Sequence, residues 1–229
     1  MAMLMEGKIM ITIEEAMKER HSVRQYDDRE LPAEAVAALR EKMEEVNRVG
    51  GLRIQLVVNE PKAFDGTMAH YGKFSGVRNY FALVGPKDKA EQCGYYGEQL
   101  VLLAQQLGLN TCWVALTFSK IKTAYTVGAG EKLHLVIALG YGLKQGVAHT
   151  SKPMEKLCSV PGEMPEWFKK GMEAAMLAPT AINQQKFLFT LGDSGVSSKA
   201  GMGMYTSIDL GIAKCHFELG AGKDSFKWV

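Results

Sequence analysis

The segment Glu19–Tyr26 (ERHSVRQY) and the distant segment Leu177–Phe187 (LAPTAINQQKF) are the two most informative stretches of this chain. In the first, Arg20, Ser22 and Arg24 occupy alternate positions, so an extended backbone would place them on one side. Two guanidinium groups and a hydroxyl group suit a phosphate monoester, which carries about two negative charges. The alternative is a solvated helix end, where basic residues complement the helix dipole.

The second segment predicts a polar loop between a helix and a strand. Pro179 should end the preceding helix, so the residues after it lie outside regular structure. Thr180, Asn183 and Gln185 offer hydroxyl and amide groups at close quarters, as the pyrimidine edge and ribityl chain of a flavin require. The alternative is a turn that braces itself, since Thr and Asn often bond to nearby backbone.

Periodicity and capping residues predict the elements around these two segments. Thr12 and Glu15 indicate a capping box that opens a short helix ending near Arg20. Further helices are predicted over Pro32–Arg48, 91–107, from Pro165, and over Ser207–Leu219. Strands are predicted over Arg53–Val58, Tyr80–Val84 (ended by Gly85-Pro86), Thr111–Leu116, Lys132–Leu139 and Phe187–Leu191, with a loop from Glu60 to Val77.

The order of elements also indicates an internal repeat. Leu31–Val58 can be laid over Met164–Leu191 without a gap, which matches helix to helix and strand to strand. Chance similarity is the alternative, because identical residues are few. We therefore predict an α+β fold in one globular unit, 1–229, with half-repeats at about 11–148 and 149–229 that pack like an isologous pair.

Composition excludes several classes of function. A net charge of +2 with interspersed signs does not suggest binding to nucleic acid or to an anionic membrane. No apolar run approaches the roughly 18 residues that would span a bilayer. The four cysteines are widely spaced and no signal-peptide pattern precedes them, so we expect free thiols in a cytoplasmic protein rather than disulfides or a metal site.

Taken together, the motifs resemble those of the FMN-dependent nitroreductase family. That family has a segment like Arg-Arg/His-Ser-x-Arg-x-Phe/Tyr, matched by Arg20–Tyr26, and a loop like Ala-Pro-Ser-x-x-Asn-x-Gln-Pro-Trp, matched by Ala178–Phe187. Thr180 replaces the serine, and Lys186-Phe187 replaces Pro-Trp. Tyr96–Trp113 is similar to the family's central helix and following turn. The resemblance implies a mixed, mainly antiparallel sheet flanked by helices.

One departure from the family pattern concerns the position of the loop. In ordinary members it follows the Arg-Ser segment in the same copy, whereas the corresponding residues here, Glu45–Gly50, lack the motif. In the family's homodimers each FMN lies between subunits, with one motif from each. The resemblance therefore implies a fused pseudo-dimer, acting as a monomer, in which the two halves supply one FMN site.

The resemblance also implies the site residues and the reaction. The implied cofactor-binding residues are Arg20, His21, Ser22, Arg24, Lys152, Pro179, Thr180, Ala181, Asn183 and Gln185. Lys152 is the candidate late phosphate ligand, although the family's arginine aligns with Ser151. Backbone near Val114–Leu116 should approach the ring. Because the flavin carries the chemistry, no side chain is named as catalytic.

The implied activity is that of an NAD(P)H oxidoreductase which passes electrons through FMN to a small nitroaromatic, quinone or similar acceptor. Two alternatives remain open at this point. One is a flavin-binding or sensing protein without turnover. The other is a fused scaffold that binds no flavin.

Overall fold

Six α-helices and three β-sheets form the described part of the chain, residues 4–5 and 8–229, in a computed structural model. The helices are α1 (Ile13–Glu19), α2 (Ala33–Gly50), α3 (Thr67–Tyr71), α4 (Ala90–Gln106), α5 (Glu166–Ala175) and α6 (Thr206–Ala221). The strands are β1 (Leu4–Met5), β2 (Lys8–Ile9), β3 (Gln55–Val57), β4 (Asn79–Pro86), β5 (Asn110–Val114), β6 (Glu131–Gly140), β7 (Cys158–Ser159), β8 (Phe187–Gly192) and β9 (Gly195–Ala200). Residues 1–3, within the stretch that lacks a signal-peptide pattern, lie outside the described residues.

The largest sheet has four antiparallel strands in the order β3-β4-β6-β5. In the second sheet, β8 pairs parallel with β7 and antiparallel with β9. Strands β1 and β2 form a separate antiparallel pair. Helices α2 and α4 contact the large sheet, and α6 contacts the second. This confirms the predicted α+β class with a mixed, mainly antiparallel sheet flanked by helices.

Capping residues fix α1 and α2 where the sequence predicts them. The Thr12 hydroxyl accepts a hydrogen bond from the Glu15 backbone N–H (3.2 Å), and the Glu15 carboxylate accepts one from the Thr12 backbone N–H (2.7 Å). This reciprocal pair is the predicted capping box. Helix α1 ends at Arg20, whose φ of −66° and ψ of 117° start an extended segment. Helix α2 follows Pro32 and ends at Gly51 in the left-handed conformation.

Several predicted boundaries were wrong. Strand β4 continues through Gly85 and Pro86, because these residues remain paired with Lys132 and Glu131 of β6. A proline is tolerated there because β3 pairs only with Tyr80–Ala82, so that β4 has no neighbour on that side at Pro86. The predicted loop between Glu60 and Val77 contains α3, and α6 continues two residues beyond Leu219. Strand β9 was not predicted.

Helices α4 and α6 cross with their backbones in direct contact. A Cβ atom on Gly94 would collide with the carbonyl oxygen of Ile208, and one on Gly211 would collide with that of Glu91. The two contacts are equivalent in sequence, since 208 − 91 and 211 − 94 are both 117. Each helix therefore presents a glycine to the same position on the other.

The strands that precede these helices show the same spacing. Ala82 of β4 pairs with Gln55 of β3, and Lys199 of β9 pairs with Leu188 of β8. The β4 and β9 positions are again separated by 117 residues (199 − 82), and the β3 and β8 positions by the 133 residues (188 − 55) of the predicted overlay. A strand pair followed by a long helix thus occurs twice.

Most of the apolar core lies between the helices and the two larger sheets. Leu83, Leu100, Phe168 and Phe217 are among its fully buried members. Within the described residues, no helix combines the length and the apolar character needed to cross a lipid bilayer.

Candidate functional site

One cavity of about 600 Å³ brings the two motif segments together. Ser22 and Arg24 line it from the first segment, and Pro179, Thr180 and Ala181 line it from the second. Its volume lies within the range of roughly 300–1,000 Å³ that is typical of small-molecule sites. Segments far apart in the sequence are therefore walls of the same space.

The remaining wall comes from the end of β5, the loop before β8 and the start of α6. The β5 end contributes Trp113, Val114, Ala115, Leu116 and Thr117, next to Phe74 and Leu135. The loop and helix contribute Ile182, Gln184, Lys186, Met204, Tyr205, Ile208, Asp209 and Ile212. Residues Val114–Leu116, whose backbone is predicted to approach a flavin ring, are thus part of the lining.

Backbone pairing directs Ser22 and Arg24 toward the cavity. The Val23 N–H donates to the Thr111 carbonyl (3.0 Å), and the Arg24 carbonyl accepts from the Ser75 N–H (3.0 Å). The segment is therefore extended, and successive side chains point to opposite sides. Val23 is buried in the core, while its two neighbours line the cavity.

Arg20 and His21 do not belong to the lining. Arg20 is 4% exposed, and its Nε atom lies 3.8 Å from Glu98 Oε1. Within the described residues, neither Nε nor Nη1 of Arg20 has a hydrogen-bond partner. His21 is half-buried, and its pKa is lowered by burial and then by the charge of Arg20. A phosphate contact for either residue stays a prediction.

Hydrogen bonds made by Asn183, Gln185 and Lys152 hold the second loop in place. The Gln185 backbone N–H donates to the Thr180 hydroxyl (3.0 Å). The side-chain amides of Gln185 and Asn183 both donate to the Thr150 carbonyl, at 2.8 and 3.0 Å. The Lys152 ammonium donates to the Gln185 carbonyl (3.1 Å). These contacts match the self-bracing alternative, and direct contacts with a flavin stay predictions for these three residues.

Left-handed backbone is concentrated in this loop. Ile182, Asn183 and Gln185 have φ values of 48°, 55° and 43°. Such values are strained for a β-branched residue, whereas asparagine tolerates them. Ile182 is also 97% exposed at the cavity, so packing gives it little compensation.

Replacing Ile182 with asparagine should stabilise the protein by about 1 kcal/mol, because the left-handed strain is relieved and little buried contact is lost. The free energy of unfolding in urea would measure the change. The matched control is Ile182→Val, which keeps the β-branch and should leave stability unchanged. Equal stabilities for the asparagine and valine variants would contradict the strain argument.

Asp209 anchors the loop to the first turns of α6. Its Oδ1 accepts from the Ala181 N–H (3.0 Å), and its Oδ2 accepts from the Gln184 amide (2.7 Å). Burial raises the pKa of the Asp209 carboxyl to about 6, and these two hydrogen bonds oppose the increase only in part. Because the folded pKa is raised, the folded state binds the proton more tightly, and stability from this group declines as pH rises from about 4 to 6.

Comparison of the wild type with Asp209→Asn should isolate this pH dependence. Between pH 7 and pH 4.5, the free energy of unfolding of the wild type should gain about 2 kcal/mol relative to the variant. Denaturant unfolding at both pH values tests this, and groups common to both proteins cancel. A stability difference that does not change with pH would refute the assignment.

Sequence reasoning missed Trp113, Gln184, Lys186 and Asp209 as lining residues. Lys186 entered only as a departure from the family motif. The sequence did indicate which face of α6 could line a site. Its residues Tyr205, Ile208, Asp209 and Ile212 recur at helical spacing and share one face. This mixed polar and apolar face lies along the cavity wall.

The residues present fit a flavin mononucleotide. Arg24 and Ser22 supply a cation and a hydroxyl group for a phosphate, with the incompletely bonded Arg20 guanidinium behind them. Trp113 and Ile208 supply aromatic and apolar surface for a planar ring. The combination suits a ligand that is anionic at one end and apolar at the other.

Residues 12–221 match the family model described as "Putative TM nitroreductase". The chain belongs to this family. The resemblance inferred from the two motifs is thereby confirmed, and the nitroreductase family indicates oxidoreductase chemistry. Comparison with curated proteins gave no match.

One solved structure supports the nitroreductase fold. A crystal structure from Thermotoga maritima MSB8, described as "a putative nitroreductase", shares 21% sequence identity with this chain and has a TM-score of 0.67. The match covers 95% of this chain and 87% of the other. A nitroreductase with bound FMN from Bacteroides fragilis NCTC 9343 shares 19% identity, with a TM-score of 0.45 over 62% of this chain and 94% of the other.

Proposed function

We propose that this nitroreductase-family protein is an FMN-dependent oxidoreductase that takes hydride from NAD(P)H and passes electrons to a nitroaromatic, quinone or similar acceptor. The observation that carries the proposal is the meeting of the two motif segments in one cavity. One segment offers groups for a phosphate, and the other offers a polar loop beside aromatic and apolar walls. Family membership supports the redox class of the reaction.

Each wall has a defined task in this proposal. Arg24 and Ser22 hold the phosphate, and Thr180 and Ala181 contact the ribityl chain or ring. Bound FMN supplies the hydride and electron transfer chemistry. Trp113 and the α6 face would exclude water from the bound ring. Asp209 keeps the loop closed against α6 through its two hydrogen bonds.

We further propose that the chain is a fused pseudo-dimer with half-repeats at about 11–148 and 149–229. The reciprocal Gly94 and Gly211 contacts support this, because an isologous interface has residue i contacting j and j contacting i. The repeated strand pairs before α4 and α6 support it independently. One chain would then form one complete flavin site and act as a monomer.

Spectra and steady-state kinetics of the purified protein test the proposed function. After reconstitution with FMN and removal of free flavin, we expect flavin absorbance at about one FMN per chain. NAD(P)H should then be consumed with menadione or a nitrofuran as acceptor. Bound FMN without turnover would favour a binding or sensing protein. Absence of flavin binding would overturn the proposal.

A further inference from the structure

A buried cluster of charged groups lies behind the cavity wall. Glu98 of α4 is fully buried, and its Oε2 atom accepts a hydrogen bond of 2.9 Å from the Trp113 indole N–H. Its Oε1 atom lies 2.9 Å from His216 Nε2 on α6 and 3.8 Å from Arg20 Nε. The cluster reaches the cavity through Trp113 and through Ser22, which follows Arg20 by two positions.

The hydrogen bonds of His216 fix the proton count of this cluster. His216 Nε2 faces the Glu98 carboxyl group, and Nδ1 lies 3.1 Å from the Ala174 carbonyl oxygen. A neutral imidazole has only one N–H, whereas two oxygen atoms must be satisfied here. The pair is therefore either an imidazolium with a carboxylate or a neutral imidazole with a carboxylic acid. In both arrangements, Glu98 and His216 together carry no net charge.

Arg20, Glu98 and His216 together therefore carry one net positive charge, which is that of Arg20. Its 3.8 Å separation from Glu98 is too long for a hydrogen bond, and Nε and Nη1 have no partner within the described residues. The adjacent thiols of Cys112 and Cys215 are neutral, because burial raises the pKa of each. A net positive charge thus lies in a buried position, where salt screens it weakly.

We propose that His216 neutralises Glu98 and so leaves the buried charge of Arg20 to act on the cavity, which thereby favours an anionic flavin phosphate. This inference rests on the proposed function. His216 and Glu98 are positioning residues in this scheme, since neither lines the cavity. A unit charge in a partly buried site changes the affinity for a nearby anion on the order of tenfold.

Binding of FMN and of riboflavin, which lacks the phosphate, tests the proposal by fluorescence titration. In His216→Gln the ionised Glu98 should offset Arg20, so FMN affinity should fall about tenfold while riboflavin affinity stays constant. Glu98→Gln keeps the net positive charge and should keep the preference for FMN. The double variant carries that charge again and should recover the preference. A purely structural role for His216 predicts no such recovery.

The matched control is Glu91→Gln. Glu91 also lies on α4 and pairs with a basic residue of α6, Lys214 (2.7 Å), but it does not contact Trp113 or Arg20. Its replacement should leave the ratio of the FMN and riboflavin affinities unchanged.

If His216→Gln fails to fold, a second pair of variants tests the charge. Arg20→Met should lose the preference for FMN, and Arg20→Lys should keep it.

The outcomes separate this inference from the proposed function. A wild-type protein that binds neither flavin overturns the proposed function. A wild-type protein that binds FMN, with an unchanged preference in His216→Gln, overturns only the inference. Parallel loss of both flavins, or a double variant no better than His216→Gln, would also overturn it by indicating distortion of the cavity.

Discussion

Alanine at Gly94 or at Gly211 will destabilise the fold by about 3 kcal/mol, the upper end of the usual cost of overpacking. In each variant the new methyl group meets a backbone carbonyl oxygen of the opposing helix, Ile208 or Glu91, and not a side chain that could rotate away. Helices α4 and α6 must therefore move apart. Denaturant unfolding measures the loss of stability. This loss is a lower limit on the free-energy cost of the collision, because alanine favours a helix interior by about 1 kcal/mol over glycine.

The double variant gives the sharper result. Once α4 and α6 have separated to admit the first methyl group, the second should cost much less, so the two effects should fall well short of additive. Gly108→Ala is the control, since its Cβ would have no neighbour within 4 Å among the described residues and only its backbone conformation (φ +76°) is strained. If the losses of stability in the two single variants were fully additive in the double variant, the two glycines would not act at one helix crossing.

Neutralising Arg24 as Arg24→Gln should raise the dissociation constant of FMN about thirtyfold. Arg24 is the cation that the first motif places in the cavity lining, beside the Ser22 hydroxyl. A hydrogen bond to a charged group contributes roughly 1.5–3 kcal/mol, and about 2 kcal/mol corresponds to that change in affinity. Equilibrium titration with FMN provides the measurement.

Arg29→Gln is the matched control for this substitution. Arg29 lies five positions further along the same segment, but it pairs with Asp27 (2.6 Å) and stacks on Tyr141 outside the cavity lining. The same charge is lost, so a general effect of net charge would weaken FMN binding equally in both variants. If Arg29→Gln matched Arg24→Gln in this way, Arg24 would not be a phosphate ligand.

Local sequence rules predicted the elements that depend on local interactions. The capping box of Thr12 and Glu15 needs only neighbouring residues, and Gly51 ends α2 through its own backbone freedom. Strand β9 escaped prediction because Gly195, Lys199 and Ala200 belong to residue types that are depleted in strands. It forms through pairing with β8, which is a tertiary contact that no local pattern records.

The candidate site was predictable in its location but less so in the roles of its side chains. Alternation correctly grouped Ser22 with Arg24, yet it also placed Arg20 beside them. Arg20 is the residue that ends α1, so the regular alternation begins only after it. Glu98, whose Oε1 lies 3.8 Å from Arg20 Nε, is on a helix 78 positions later (98 − 20), and only the fold brings the two side chains together.

Because a single chain forms the whole cavity, the main consequence concerns how the site responds to dilution of the protein. A site shared between separate subunits exists only while the subunits remain associated, so its occupancy depends on protein concentration. Here Ser22 and Thr180 belong to one polypeptide, and no second-order encounter is needed to bring them together. Each wall is also encoded once, so a mutation in one wall is not copied into a symmetric partner. The two walls can therefore diverge independently in sequence.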